Sequence, residues 1–539
     1  MKSMISALLM AAMLLRFGAI FPAPAAEKQA SVSLGEDGKL QYTPDDRGNT
    51  IPDFSRCGYM GGGVKIPDAR VLMTLKPAKN GSDDTARIQK ALDDLARKGP
   101  DRSGIRGALL LKRGTYRIKG TLKIAASGVI LRGEGQGKDG TILFAAGTQK
   151  RDLISIAGGL SIQEVKGSRI KIADAYVPWG AMSFKLESTR GLSVGNEIIV
   201  YRPSPANWIH DLKMDRIPPR RGGQKSKQWQ PGEYDLRFER VITAIKNGQI
   251  TLNAPVVNAM EDKYGGGFVY RYTQKGRIAQ VGLEHLRIVS EYQKGKEKSD
   301  EAHAWCSVKL RGVTNAWVRN VTSVHFSHAV QVDYGTTFVT VQDCASLKPV
   351  SLITGGRRYP FSYGQCQFCL IQRCYTEDAR HAQAVGHRVC GPNVYLDCLN
   401  EKTHADSGPH HRWSVGILYD NLKGGGFNAQ DRAWLGSGHG WTGAQQVFWN
   451  CVGGSFCIQK PPTAQNYAFG CVGKKKSCFG FNRGRTLGHY ESHGKHVEPR
   501  SLYLKQLEDR LGKQAVENVT TEAQRKGNIY EKLKAELSH

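Results

Sequence analysis

The stretches VQDCASL (Val341–Leu347), IQRCYTE (Ile371–Glu377), YLDCLNE (Tyr395–Glu401) and FWNCVGG (Phe448–Gly454) repeat one pattern. Strand-forming residues lead to a polar turn residue, a cysteine follows, and the chain returns to strand-forming residues. Aligning Asn320, Cys344, Cys374, Cys398, Asn421, Cys451 and Cys471 gives steps of 24, 30, 24, 23, 30 and 20 residues, with His285 one coil earlier. Such a period with variable loops is that of a solenoid. In a parallel β-helix, equivalent positions stack at the strand spacing of about 4.8 Å. The alignment therefore predicts an all-β solenoid with buried cysteines in its ladder rather than disulfides. Asn320 and Asn421 are expected to share that ladder and satisfy turn backbone groups.

Upstream, SDDTARIQKALDDLARKG predicts an amphipathic helix that begins at Ser82 or Asp83, turns Ile88, Leu92 and Leu95 to one side, and stops at Gly99. Two Gly-bounded β-rich runs follow, GALLLKRGTYRIKGTLKI and GVILRGEGQGKDGTILFA. The DDT-containing helix, the strand Gly114 to Ile118 and the run Val129 to Gly135 together resemble the N-terminal cap and first coils of the pectate-lyase-like family of secreted right-handed parallel β-helices. The resemblance implies that fold and an activity on polysaccharide. That scaffold hosts lyases, hydrolases and phage tailspikes, so it names no reaction.

The chain divides into a signal peptide (1–26), an extended segment (27–75), a cap with first coils (76–175), a β-rich insertion or set of widened coils (176–275), the main coils (276–498) and a helical tail (499–539) expected to close the open end of the solenoid. The leader has Lys2, an apolar run from Met4 to Leu15 and Ala23-Pro24-Ala25 as cleavage site, which predicts a secreted or periplasmic protein. No other stretch is apolar enough for a membrane span. The net charge of +28 calls for a polyanionic partner. Export makes that an anionic polysaccharide rather than nucleic acid, and the sequence leaves oligomeric state open.

Cys374 to Arg412 gathers His381, His387, His404, His410 and His411 with several arginines. Counted from the ladder, polar residues fall into two columns, one with His328, Arg380, His381, His404, Asp406, Asn428 and Gln459. The other holds Asp333, Tyr334, Arg357, Arg358, His387, Arg388, His410, His411, Arg412 and Arg432. Two such columns form a groove for a linear polymer. Arginine forks suit carboxylates. Cleavage of a uronic acid by β-elimination needs a neutralised carboxylate, a base for the C5 proton and an acid for the leaving oxygen. The expected assignments are His410 or His411 as base, His381 or Tyr334 as acid, and Arg380, Arg388 and Arg412 on the carboxylate. Arg357, Arg358, His387, His404, Asn428, Arg432, His439, Trp441, Gln459 and Lys460 are expected to line the groove.

Other readings stand beside this one. Gly438-His439-Gly440 is similar to a motif of polygalacturonase-type hydrolases, but no Asp pair precedes it. A non-catalytic binding β-helix is the third class. Arg216 to Arg221 matches the R-x-P-x-x-R spacing of pectate lyases, and Trp208 and Trp229 are either sugar platforms or loop anchors. No cofactor is required. A transition metal would draw on His404, Asp406, His410 and His411. Calcium would draw on Asp343, Glu377, Asp378, Asp397 and Glu401. Cys366 and Cys369 read as a loop disulfide or as buried thiols, and His489, His493 and His496 as a solvated loop.

Overall fold

The computed structural model describes residues 31–478 and 485–539, so the expected leader lies outside the described residues. Parallel pairing links 28 strands, from Val71–Leu75 to His489–Glu491, into a right-handed β-helix. Most coils contribute three strands, and in the later ones two of them run together, as in Lys423–Ala429, which pairs with both Leu399–Glu401 and Asp406–Pro409. One coil runs Phe361–Tyr363, Leu370–Gln372 and Tyr375–Glu377, and the next repeats it with Gln383–Val385, Cys390–Leu396 and Leu399–Glu401. The helix Thr85–Ala96 lays Ile88, Ala91, Leu92 and Leu95 on the first coil and closes the N-terminal end of the core. The segment 27–75 is not merely extended: it forms a hairpin (Val32–Leu34 with Leu40–Tyr42) and the first parallel strand.

The register corrects the ladder by one residue. Leu396 pairs with Asp420 and Leu399 with Lys423, so Asn421 stands beside Asp397 and Leu422 beside Cys398. The pairs Arg319–Gln342 and Thr322–Ala345 likewise set Asn320 beside Asp343 and Val321 beside Cys344. A slip of one residue exchanges the two faces of a strand. The inward column is therefore Val321, Cys344, Cys374, Cys398, Leu422, Cys451 and Cys471, all buried, with every one of these cysteines free. The asparagines belong to the neighbouring corner column. There His285, Asn320, Asp343, Arg373, Asp397, Asn421 and Asn450 have φ between 48° and 59°, the left-handed conformation that Asn and Asp tolerate best.

The tail does not cap the open end. The helix Leu502–Leu511 lies along the flank on Val394, Leu396, Leu418 and Val447 of successive coils, and Tyr530–Leu537 packs on Leu347, Tyr375 and Leu399. It docks through the corner column. Arg500 holds both oxygens of Asp397 at 2.8 and 3.0 Å, Gln524 bridges Asp397 and Arg373, and Ser501 and the Tyr503 N–H donate to Asp420. Burial pushes the Asp420 carboxyl up to about 7 despite those donors.

An antiparallel sheet spans Ser161–Lys275, so the insertion begins earlier than residue 176. Its loop is pinned to the solenoid by Trp208 and Trp229 against Trp413 (5.0 and 6.4 Å between ring centroids), with Trp229 also stacked on Tyr234 of the same loop (4.0 Å). Both tryptophans are fully buried, which removes them as sugar platforms and leaves them as anchors. The one disulfide among the described residues is Cys457–Cys478, which the sequence reading did not anticipate, while Cys366 and Cys369 are free and buried.

Removing one partner of a buried ion pair strands the other. Asp397→Ala is expected to destabilise the protein by about 3 kcal/mol and to release residues 499–539 to limited proteolysis before the coils are cut. Simultaneous loss of tail and coils would show that the pair does not hold the tail.

Candidate active site

The site forms over one sheet of the solenoid, where Phe361–Tyr363, Gln383–Val385 and Asp406–Pro409 stack in parallel. Phe361, Tyr363, Gln383 and Val385 point inward and are buried, so Ser362, Ala384 and Gly408 form an outer column of small residues. A Cβ at Gly408, whose φ is 141°, would collide with the Asn428 carbonyl. This low floor leaves room for side chains arriving from both strand ends. Tyr359 and His381 rise from the entering side, and His387, His410, His411 and His439 from the leaving side.

The rings meet over the floor. Centroid separations are 5.0 Å for Tyr359–His381, 4.5 Å for His381–His410, 5.1 Å for His410–His439 and 5.1 Å for His411–His439. His387 faces His411 at 5.5 Å. Hydrogen bonds fix two tautomers. His381 Nδ1–H donates to the Asp406 carbonyl at 2.6 Å, leaving Nε2 as a buried acceptor without a partner. His410 Nδ1 accepts from Arg432 Nη1 at 2.8 Å, because a guanidinium can only donate. Neutral His410 therefore carries its proton on Nε2 and donates to the Tyr359 hydroxyl at 3.2 Å. That hydroxyl also accepts from Arg380 Nη1 at 2.9 Å and donates to the Gly355 carbonyl at 3.0 Å.

Electrostatics keep these imidazoles neutral. His381, 2% exposed, is lowered to about 4 by burial, with Arg432 and Arg380 adding to the effect. His411 is lowered to about 3 and His439 to about 2, again by burial first and then by neighbouring histidine and arginine charge. His410, 8% exposed, falls well below the ordinary imidazole value for the same reasons. Burial pushes the Tyr359 phenol up, opposed by Arg380 and Arg432. Orphaned buried polar atoms gather here: His381 Nε2, His411 Nδ1, His439 Nδ1, Arg432 Nε, Arg412 Nε and Asn428 Oδ1. Unpaired buried groups are costly, and their concentration marks a site built for a ligand.

Several expected residues go elsewhere. Tyr334 is 42% exposed, lies under Arg311 at 5.9 Å and opens on a different cavity together with Arg388. Arg358 is fully buried and paired to Asp378 at 2.7 Å, and Arg357 clasps Glu301. His404 pairs with Asp378 at 2.5 Å. Trp441 is fully buried beneath Arg485, and Gln459 is buried with its oxygen on the Asp431 N–H. Lys460 lines a cavity beside Trp179 and Tyr467. Arg412 donates to Ser437 at 2.7 Å at the rim. The Arg216 to Arg221 motif is spent within its own loop, Arg216 on His210 and Asp215 and Arg221 over Trp434. His489 lies on a strand and pairs with Glu491, while His493 and His496, in a turn whose Ser492, Gly494, Lys495 and His496 are exposed, bond the Gly473 and Gly470 carbonyls. The residue missed from sequence is Tyr359.

The residues do not fit a metal. Among the described residues no group of three or more His, Cys, Asp or Glu side chains is arranged to hold one. Four of the expected calcium ligands are already committed: Asp343 to Arg373, Asp378 to Arg358, Asp397 to Arg500 and Glu401 to Lys534.

No known family profile matches the chain, and no curated protein matches it. Solved structures do. The tailspike protein gp49 from Pseudomonas phage LKA1 is 14% identical, with a TM-score of 0.41 over 72% of this chain and 56% of that one. The Gp54 tailspike of Acinetobacter baumannii bacteriophage AP22, solved with A. baumannii capsular saccharide, is 10% identical, with a TM-score of 0.36 over 77% of this chain and 66% of that one. An alginate lyase from Paenibacillus sp. str. FPU-7 is 9% identical, with a TM-score of 0.38 over 78% of this chain and 98% of that one. The chain thus spans less than two thirds of either tailspike. Likeness at this level carries no argument, and the fold rests on the strand pairing above.

The depressed imidazoles couple stability to acid. Their folded values lie below the ordinary 6.5, so the unfolded chain binds more protons between pH 6.5 and about 4. Stability is complete above pH 6.5 and falls as pH drops through that window. His381→Gln is expected to reduce the pH dependence of the urea midpoint there by about one proton; an unchanged slope would mean that His381 titrates normally.

Proposed function

We propose that this protein is an exported lyase that cleaves an acidic, uronic-acid-containing polysaccharide by β-elimination. The observation that carries the reading is the pairing of a free buried acceptor, His381 Nε2, with a hydroxyl 5.0 Å away ring to ring that is held by two cationic or N–H donors. His381 Nε2 takes the C5 proton, and the C5–H electrons form the C4=C5 double bond as the C4–O bond breaks. Tyr359 gives its hydroxyl proton to the leaving oxygen, and the phenolate that forms is stabilised by Arg380 and His410 Nε2–H. Arg432, whose Nε is buried without a partner, neutralises the uronate carboxylate and lowers the cost of deprotonation at C5.

This assignment exchanges the roles expected from sequence. His410 has both nitrogens engaged and serves as a donor that holds Tyr359, while His381 has the open lone pair. The hydrolase alternative needs two carboxylates across the bond. Asp406 reaches His381 at 3.7 Å, and no second carboxylate pairs with the rings of His381, His410, His411 or His439 among the described residues. Export rests on the N-terminal leader, and the polyanionic substrate on the net charge of +28.

Incubation with pectate, alginate, glucuronan and glycosaminoglycans should yield, with one of them, unsaturated ends that absorb in the ultraviolet. His381→Gln and Tyr359→Phe are each expected to lower kcat by about 10²–10⁴-fold without loss of folding. Because His381 stays neutral to about pH 4, the rate should hold through pH 6.5 instead of halving there. New reducing ends without ultraviolet absorbance would overturn the lyase in favour of a hydrolase.

A further inference from the structure

The insertion sheet and the solenoid flank a second, open cavity of about 600 Å³ beside the histidine groove. Arg237 and Tyr270 come from the antiparallel sheet, and Tyr334, Gln365 and Arg388 from consecutive coils. We infer that this cavity is an anion-binding subsite that takes a carboxylate- or sulfate-bearing sugar residue of the same chain that occupies the groove, an inference whose choice of ligand rests on the function proposed above.

Charge accounting supports it. Of the ionic groups that line the cavity, Arg169 is held by Glu164 through two bonds at 3.0 and 2.5 Å, and Glu239 is held by Arg277 through two bonds at 2.9 Å. Arg237 and Arg388 form no ion pair among the described residues. Arg388 is oriented without being neutralised: its Nη1 donates to the Glu233 carbonyl at 2.9 Å, and turning the Gln365 amide over lets its oxygen accept from Nε and Nη2 at 3.1 Å. Arg237 is steered by Tyr201, whose ring it covers at 5.5 Å. Two guanidiniums that carry no ion pair thus line the cleft beside the exposed Tyr334, a combination suited to an anionic pyranose.

Position supports it too. Val385 pairs with Pro409, which sets His387 beside His411, and Arg388 follows directly. With about 4.8 Å per coil, the cavity lies about 5–10 Å along the axis from the histidines. Tyr334 and Arg388, which the sequence pattern assigned to the catalytic groove, then act in its neighbour, and the insertion serves as that neighbour's outer wall.

The test uses the full chain carrying His381→Gln, titrated calorimetrically with tetrasaccharides of galacturonate, mannuronate and glucuronate and with a neutral glucose tetrasaccharide. At least one uronate is expected to bind and the neutral sugar to bind at least tenfold more weakly. Adding Arg237→Ala should weaken uronate binding at least tenfold with the melting temperature unchanged, and Arg237→Lys should restore part of it. Undiminished binding in Arg237→Ala, alongside loss in Arg432→Ala, would overturn the subsite and leave the proposed reaction standing. Arg237-dependent binding by a protein that releases no unsaturated ends would keep the subsite and sink the reaction. Failure to bind any uronate would overturn both.

Discussion

Everything in this molecule depends on one backbone constraint, the left-handed corner residue that each coil must place at the same level. A residue with φ near +50° turns the chain from one strand to the next without a loop, and stacking such corners keeps every parallel pair in register. The constraint favours Asn, Asp or Gly, including at the buried corners Asp397, Asn421 and Asn450, and it tolerates His285 and Arg373 where neighbouring groups satisfy the side chain. The same corner then acts as a docking strip: its carboxylates and amides are the groups that the tail grips. Fold and tail attachment are therefore one device.

That device was half visible in the sequence. The recurring cysteines announced the coils and their inward face correctly, because a small apolar side chain beside a polar corner is a local signature. His285, Asn320 and Asn421 were misplaced by one position because they follow Glu284, Arg319 and Asp420, polar residues that imitate the corner residue of other coils. Only strand pairing distinguishes the two alignments. The flank position of the tail was not legible either, since helical periodicity tells which face of a helix is apolar and not which surface receives it.

The site shows the same division. Residues in coils of regular length, such as His381, His387, His410 and His411, could be grouped by their offset from the ladder. Tyr359 could not. It sits in a coil lengthened by a loop after Leu347, so its offset matches neither column although its strand position is that of His381. The same long loop carried Arg358 into a column by number while folding it under the surface against Asp378. Offsets measure chain length, whereas a groove is assembled by strand level, and the two agree only where loops are short.

The N-terminal segment and the tail meet on one flank, where Tyr503 donates to the Cys57 carbonyl, Arg510 to Ser55 and Gln506 to Pro52. Those partners are 446 to 455 residues apart. A chain emerging from the ribosome or from a translocation channel cannot close these contacts until residues 503–510 have arrived. The coils can stack progressively, one upon another. The flank, by contrast, is sealed in a single terminal event. The coils are thus fastened late, and a chain lacking residues 499–539 carries an open apolar seam that this segment conceals.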